Sequence, residues 1–229
     1  MALSAPGWAQ SSTERSARAS VESFFALVAR EKWDSAAAML DLARFEPYFK
    51  NEVRNARSAI PQRPMTVEGL MALDSTMPKA VAEWQVAQAR GRPGDPFAYL
   101  SYQFAGVAAP RDLFALSVPA AAARWLEAQD ERYQMRESWR RQGCSMTGVP
   151  SYPPAARMVI AVAAADDSTA YVVHNDDRFQ TPLPDVLSVG DRVMKLHRVQ
   201  GRWLIEPRRD LLQPGSLGFS YGCPEVRRP

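Results

Sequence analysis

The chain has 229 residues, of which 46% are apolar, and its 28 basic and 25 acidic side chains give a formal charge of +3 at pH 7. This length allows one or two domains with a buried core. The basic excess is small and spread along the chain, and no run in its body approaches the ~18 apolar residues of a membrane span. Neither a nucleic-acid partner nor a transmembrane segment is therefore predicted.

The first residues, MALSAPGWAQ, are similar to the end of a secretory signal peptide. Gly7 and Ala9 have the small side chains expected at positions −3 and −1 of a cleavage site. Two interpretations of residues 1–12 stay open: a signal-peptide remnant and a disordered N-terminus. The first predicts a periplasmic or secreted protein, and the second leaves a cytoplasmic one.

Apolar residues at helical spacing predict three helices near the N-terminus. The second helix follows Glu31, with Asp34 as its N-cap, and Pro47 fits the first turn of the third. Asp41 ends the second helix. The stripe of the first helix consists of Val21, Phe24, Phe25 and Val28.

Residues 58–155 are predicted to be almost wholly helical, with breaks at prolines. Thr66 is a candidate cap for a short helix that ends at Leu73. Ser117, followed by Pro119, is predicted to begin a longer helix that runs toward Arg141.

After residue 155 the apolar period changes from helical to two, which predicts two β-hairpins. Gln200-Gly201 forms a two-residue turn in the second hairpin. Pairing across this turn places Lys195 opposite Glu206. The strands are residues 157–165, 169–175, 192–199 and 202–207, and the apolar face of the second hairpin is Met194, Leu196, Trp203 and Ile205.

The chain has two cysteines, Cys144 at the end of the helical region and Cys223 in a Pro/Gly-rich tail. Neither has the spacing of a redox motif or a zinc site, and no metal or other cofactor is predicted. Cysteines of exported proteins often pair. A Cys144–Cys223 disulfide would close a loop of about 80 residues, worth roughly 4.5 kcal/mol in the chain-entropy model. Free thiols are the alternative.

Two segments resemble the NTF2-like (cystatin-like α+β) superfamily. Residues 19–41, ASVESFFALVAREKWDSAAAMLD, look like its opening helix pair, and residues 193–207, VMKLHRVQGRWLIEP, look like its closing hairpin. The resemblance implies an α+β fold in which a curved antiparallel sheet of about four strands packs against the N-terminal helices, often around a cone-shaped pocket. The predicted organisation is one such domain at 13–207, with a helical insertion at 58–155 and an irregular tail at 208–229.

The superfamily includes isomerases, dehydratases and carriers, so the resemblance does not define one function. We predict a non-enzymatic bacterial protein of the cell envelope that binds a small apolar ligand or a protein partner; its oligomeric state is left open. A pocket would lie between the apolar face of the second hairpin and the first helices. The candidate ligand-binding residues are Trp33, Tyr48, Tyr171, Met194, Leu196 and Trp203.

Two alternatives stay open. An isomerase or dehydratase would use a pocket Asp or His with a tyrosine such as Tyr48 or Tyr171, but no catalytic residue is assigned. A pure protein-interaction module would combine a filled cone with an exposed apolar patch on the helical insertion. His174 and His197 are both expected to point away from the apolar face, as surface strand residues or as neighbours in a metal or general-base site. Asp176-Asp177 are expected in a turn.

Overall fold

A computed structural model describes residues 10–59, 66–73, 76–83, 86, 99–144, 157–176, 192–208 and 211–212. In these residues the fold is α+β, with helices followed by a four-stranded antiparallel sheet. None of the described helices is long and apolar enough to cross a bilayer.

The helices begin where side chains satisfy their first backbone N–H groups. Ser11 and Glu14 form a reciprocal capping box at the start of the first helix. Thr66 caps the fourth as predicted, because its Oγ1 accepts a hydrogen bond from Gly69 N at 3.0 Å. The helices are α1 (Ser12–Ala29), α2 (Trp33–Ala37), α3 (Leu42–Ala59), α4 (Val67–Leu73), α5 (Leu100–Gln103), α6 (Pro110–Phe114), α7 (Val118–Gln129) and α8 (Glu131–Arg141). Residues 79–83 are also helical.

Three predicted helix boundaries were wrong. Lys32, not Asp34, is the N-cap of α2, and Asp34 lies in its first turn. Asp41 stands before α3 and accepts a hydrogen bond from Arg44 N, so α3 begins earlier than predicted and Pro47 lies inside it. The long helix after Ser117 breaks at Asp130, whose extended backbone ends α7 and whose carboxylate caps α8.

The two hairpins form as predicted and join into one sheet of strand order β1-β2-β3-β4. The strands are β1 (Arg157–Ala164), β2 (Thr169–Asp176), β3 (Arg192–Val199) and β4 (Arg202–Ile205). Leu196 lies opposite Ile205 and Arg198 opposite Trp203, as the turn at Gln200-Gly201 predicts. A bulge interrupts the register of β1 between Val159 and Ala161.

The core lies between α1 and one face of the sheet, which we call the inner face. Trp203 on this face donates a hydrogen bond from Nε1 to Ser16 Oγ of α1 at 2.9 Å. Leu40, between α2 and α3, forms a parallel bridge with Ile205 at the free edge of β4. The helical region after residue 58 joins the same core, since Trp125 of α7 packs on Phe45 of α3 with ring centroids 5.3 Å apart.

Candidate functional site

The side of the sheet that points away from α1 carries large apolar side chains that remain exposed. We call this side the outer face. In an antiparallel sheet with one covered face the other is ordinarily polar. Here the exposed fractions are 47% for Met158, 50% for Ile160, 40% for Tyr171 and 48% for Val193.

The strand register makes the centre of the outer face continuous. Val173 lies between Ala161 on β1 and Val193 on β3. One row along, Tyr171 lies between Ala163 and Lys195. Directly opposite residues on neighbouring strands share a face and are in contact distance, so these side chains form one patch that crosses three strands.

A charged cluster borders this patch on the β4 side. The Glu206 carboxylate lies 2.8 Å from His197 Nε2, 3.2 Å from Arg44 Nη1 and 3.6 Å from Lys195 Nζ. Burial acts to raise the pKa of Glu206, but the hydrogen bond to His197 and the charges of Lys195 and Arg44 outweigh it, so the pKa is lowered. An apolar centre with a polar border is the usual composition of a protein–protein interface.

Other parts of the chain contact both edges of the sheet. Arg18 of α1 donates hydrogen bonds to the carbonyls of Val159 and Ile160 at the β1 bulge, at 3.0 and 3.5 Å. At β4, Ile205 exchanges backbone hydrogen bonds of 2.9 Å with Met39 and Asp41. A bulged or covered edge is a poor template for an added strand, whereas the side chains of the outer face are exposed.

A small pocket opens beside the charged cluster, between α3, α7 and the end of β4. Its volume is about 90 Å³, well below the ~300 Å³ at which pockets for drug-sized ligands begin. The lining residues are Arg44, Phe45, Tyr48, Trp125 and Pro207.

The six predicted ligand-binding residues do not form one site. Met194, Leu196 and Trp203 belong to the closed core, with exposed fractions of 5% or less, and Trp33 is a half-buried side chain packed against that core. Tyr48 lines the small pocket, and Tyr171 lies on the outer face.

The prediction for the two histidines was wrong for His174. Its side chain is on the inner face, buried, with its ring edge-on to Phe25 at 5.0 Å. His197 lies on the outer face beside Glu206. The two rings are therefore on opposite sides of the sheet and cannot share a metal or a proton. The described residues contain no group of three His, Cys, Asp or Glu side chains suited to a metal ion.

Two predictions fall wholly or partly outside the described residues. Cys144 follows α8, and the described part of the chain has no free cysteine; Cys223 lies outside it, so the disulfide stays a prediction. Asp176 ends β2, whereas Asp177, and with it the predicted turn, lies outside.

Sequence reasoning missed Val173, Val193, Arg44 and Pro207. The first two carried a usable signal: β2 is apolar at both alternate sets of positions, which is unusual for a strand with one face in solvent. No pattern in the sequence indicates the pocket, because the pairing of Leu40 with Ile205 is what brings Arg44 near Pro207.

The chain matches no family model, and no curated protein or solved structure is similar to it.

Proposed function

We propose that this protein is a non-enzymatic binding protein and that the outer face of its sheet receives a protein partner. The observation that carries the proposal is the continuous apolar patch around Tyr171, Val173 and Val193 on a sheet that other parts of the chain contact at both edges. Contiguous apolar surface of this kind marks interaction sites on soluble proteins.

The closed core favours a protein partner over a ligand held inside the cone. Met194, Leu196 and Trp203 fill the space between sheet and α1 where the sequence predicted a pocket. The apolar patch of the outer face is on the sheet, whereas the interaction-module alternative would place an apolar patch on the helical insertion. The proposed function therefore agrees with the interaction-module alternative on the kind of partner and differs from it on the location of the patch.

The enzyme alternative requires a buried Asp or His beside a tyrosine. Asp41 and His174 are both buried, but Asp41 pairs with Arg44 at 3.2 Å and caps α3, and His174 packs on Phe25. These contacts are structural ones, so they give the enzyme alternative no support.

The proposed fold family remains the NTF2-like superfamily. Its support is the direct pairing of the two segments that carry the resemblance, since Leu40 of the opening segment bridges Ile205 of the closing hairpin. We further propose that the partner belongs to the cell envelope. The support is the similarity of MALSAPGWAQ to the end of a secretory signal peptide; a Cys144–Cys223 disulfide would agree with it, because disulfides persist mainly in oxidising compartments.

Site-specific photocrosslinking in the native host tests the proposed function. A photoreactive residue is placed at Val193 on the outer face, with Arg54, an exposed position on α3, as the matched control. We expect a discrete protein adduct at position 193 that is lost when Tyr171 is changed to Glu, and no such adduct at position 54. Equal adducts at both positions, or an adduct that survives Tyr171→Glu, would contradict the proposal.

A further inference from the structure

Four of the five described residues that line the pocket between α3 and α7 are aromatic or apolar. Phe45 and Tyr48 lie one turn apart on α3, and the ring centroids of both lie within 6.3 Å of that of Trp125. Pro207 completes the apolar wall. At about 90 Å³ the pocket is smaller than the ~150 Å³ cavity known to hold benzene, so it receives one ring only with part of the molecule in its open mouth.

Among the described residues, Arg44 is the one charged side chain that lines this pocket. Two carboxylates hold its guanidinium: Nε lies 3.2 Å from Asp41 Oδ2, and Nη1 lies 3.2 Å from Glu206 Oε2. Its side chain is nevertheless 51% exposed. A guanidinium has five N–H donors in a rigid plane, and no hydrogen bond to Nη2 is formed by the described residues. The Arg44 guanidinium is thus held in one orientation and still has N–H donors available.

The charged groups around Arg44 leave no net negative charge that would repel an anion. Asp41 and Glu206 are balanced by Arg44 and Lys195, and His197 adds a positive charge when protonated. Neither Asp41 nor Glu206 is among the described residues that line the pocket. The described lining of the pocket therefore offers a molecule one cation, three aromatic rings and Pro207.

We infer that this pocket binds a small carboxylate with a single ring. The ring packs between Tyr48, Trp125 and Pro207, and the carboxylate accepts charge-assisted hydrogen bonds from Arg44. This site is separate from the apolar patch of the outer face, and the inference does not rest on the proposed function.

Binding of phenylacetate to the full chain tests the inference, with phenylethylamine as a probe that has a similar ring and the opposite charge. For a ligand of this size we expect a Kd on the order of 1 mM for phenylacetate by ligand-observed NMR, and at least about tenfold weaker binding of phenylethylamine. Equal affinity for the two probes, or no phenylacetate binding up to about 20 mM, would overturn the inference.

Two variants locate the binding. Arg44→Gln is expected to weaken phenylacetate binding by about tenfold or more. Arg124→Gln is the matched control, because Arg124 is 52% exposed and pairs with Glu127 at 3.2 Å; its Kd should stay within about twofold of wild type. Unchanged binding in Arg44→Gln would overturn the inference. If that variant fails to fold, the comparison of the two probes on the wild-type protein decides alone. No partner protein is involved, so failure here leaves the outer-face proposal standing.

Discussion

Glu137 of α8 is the residue on which the densest polar network converges. Its carboxylate accepts hydrogen bonds from Ser101 at 2.7 Å, Arg140 at 2.8 Å and Arg141 at 2.9 Å. The bonds from Arg140 contribute most, burial opposes them, and Ser101 and Arg141 add to them, with the result that the pKa of Glu137 falls to about 2. The network joins α8 to α5.

Changing Glu137 to Gln should therefore reduce the free energy of unfolding by about 2 kcal/mol at pH 7. The folded pKa lies below the unfolded value of ~4.3, so this stabilisation is complete above about pH 4.5 and is lost as the pH falls toward 2. Urea unfolding at pH 7 and pH 3 measures both effects. Glu127→Gln, which breaks only a pair with the half-exposed Arg124, should cost less than about 0.5 kcal/mol. Equal losses in the two variants would show that Glu137 has no special role.

The alternation of residues predicts the buried face of β3 and β4 but not that of β2. In β3 and β4, Lys195 and Glu206 identify the solvent side, and the predicted inner face was confirmed. In β2, Tyr171 and Val173 are as apolar as Ala170 and Val172, so alternation does not say which set is buried. The placement of His174 was wrong for this reason, and the outer face was missed for the same reason.

At the scale of elements, Asp130 makes two helices where the apolar pattern predicted one. No Gly or Pro marks the break. Asp130 accepts hydrogen bonds from the backbone N–H and the side chain of Arg132, and Arg132 in turn binds Val28 O at the end of α1 and Glu31. A sequence pattern along one helix carries no information about such a distant partner.

Changing Asp130 to Ala should cost about 3 kcal/mol of stability, because it removes a helix cap and leaves the buried Arg132 without its closest counter-charge. Asp112→Ala is the control, since Asp112 also completes a helix start but is 41% exposed. It should cost about 1 kcal/mol or less. Thermal or urea unfolding of both variants checks the difference, and similar costs would contradict the role given to the Arg132 contacts.

The turn between β3 and β4 depends on a left-handed backbone at both of its residues. Gln200 and Gly201 have φ values of 49° and 78°, the left-handed pair of a type I′ turn. Gly201→Ala should destabilise the protein by about 1 kcal/mol. A methyl group there meets nothing within 4 Å, so the loss would come from the backbone alone. Gln200→Asn should be neutral or slightly stabilising in the same unfolding experiment, and a neutral Gly201→Ala would contradict the turn type.

At the scale of the whole molecule, the sequence predicted the α+β class, the sheet and the helices that cover it. These depend on local period and turn chemistry, which a single sequence records. The pocket beside Arg44 depends instead on α3, α7 and β4 meeting in space, and nothing in their local patterns encodes that meeting.

The predicted disulfide would link two distant parts of the molecule, since it would join the tail to the end of α8. The denatured, unreduced protein should be about 2 Da lighter than the reduced one, and the bridge should add up to roughly 4.5 kcal/mol of stability. Identical masses for protein recovered from an oxidising compartment would show that the bridge is absent.

The outer face of the sheet is proposed to bind a protein. Native mass spectrometry of the full chain recovered from its own host under mild conditions tests it most directly, with Val193→Glu as the variant and Arg54→Glu as the matched exposed control. We expect a stoichiometric protein-sized mass on the wild type and on Arg54→Glu that is absent from Val193→Glu. A bare chain in all three samples, or a complex that persists in Val193→Glu, would contradict the claim.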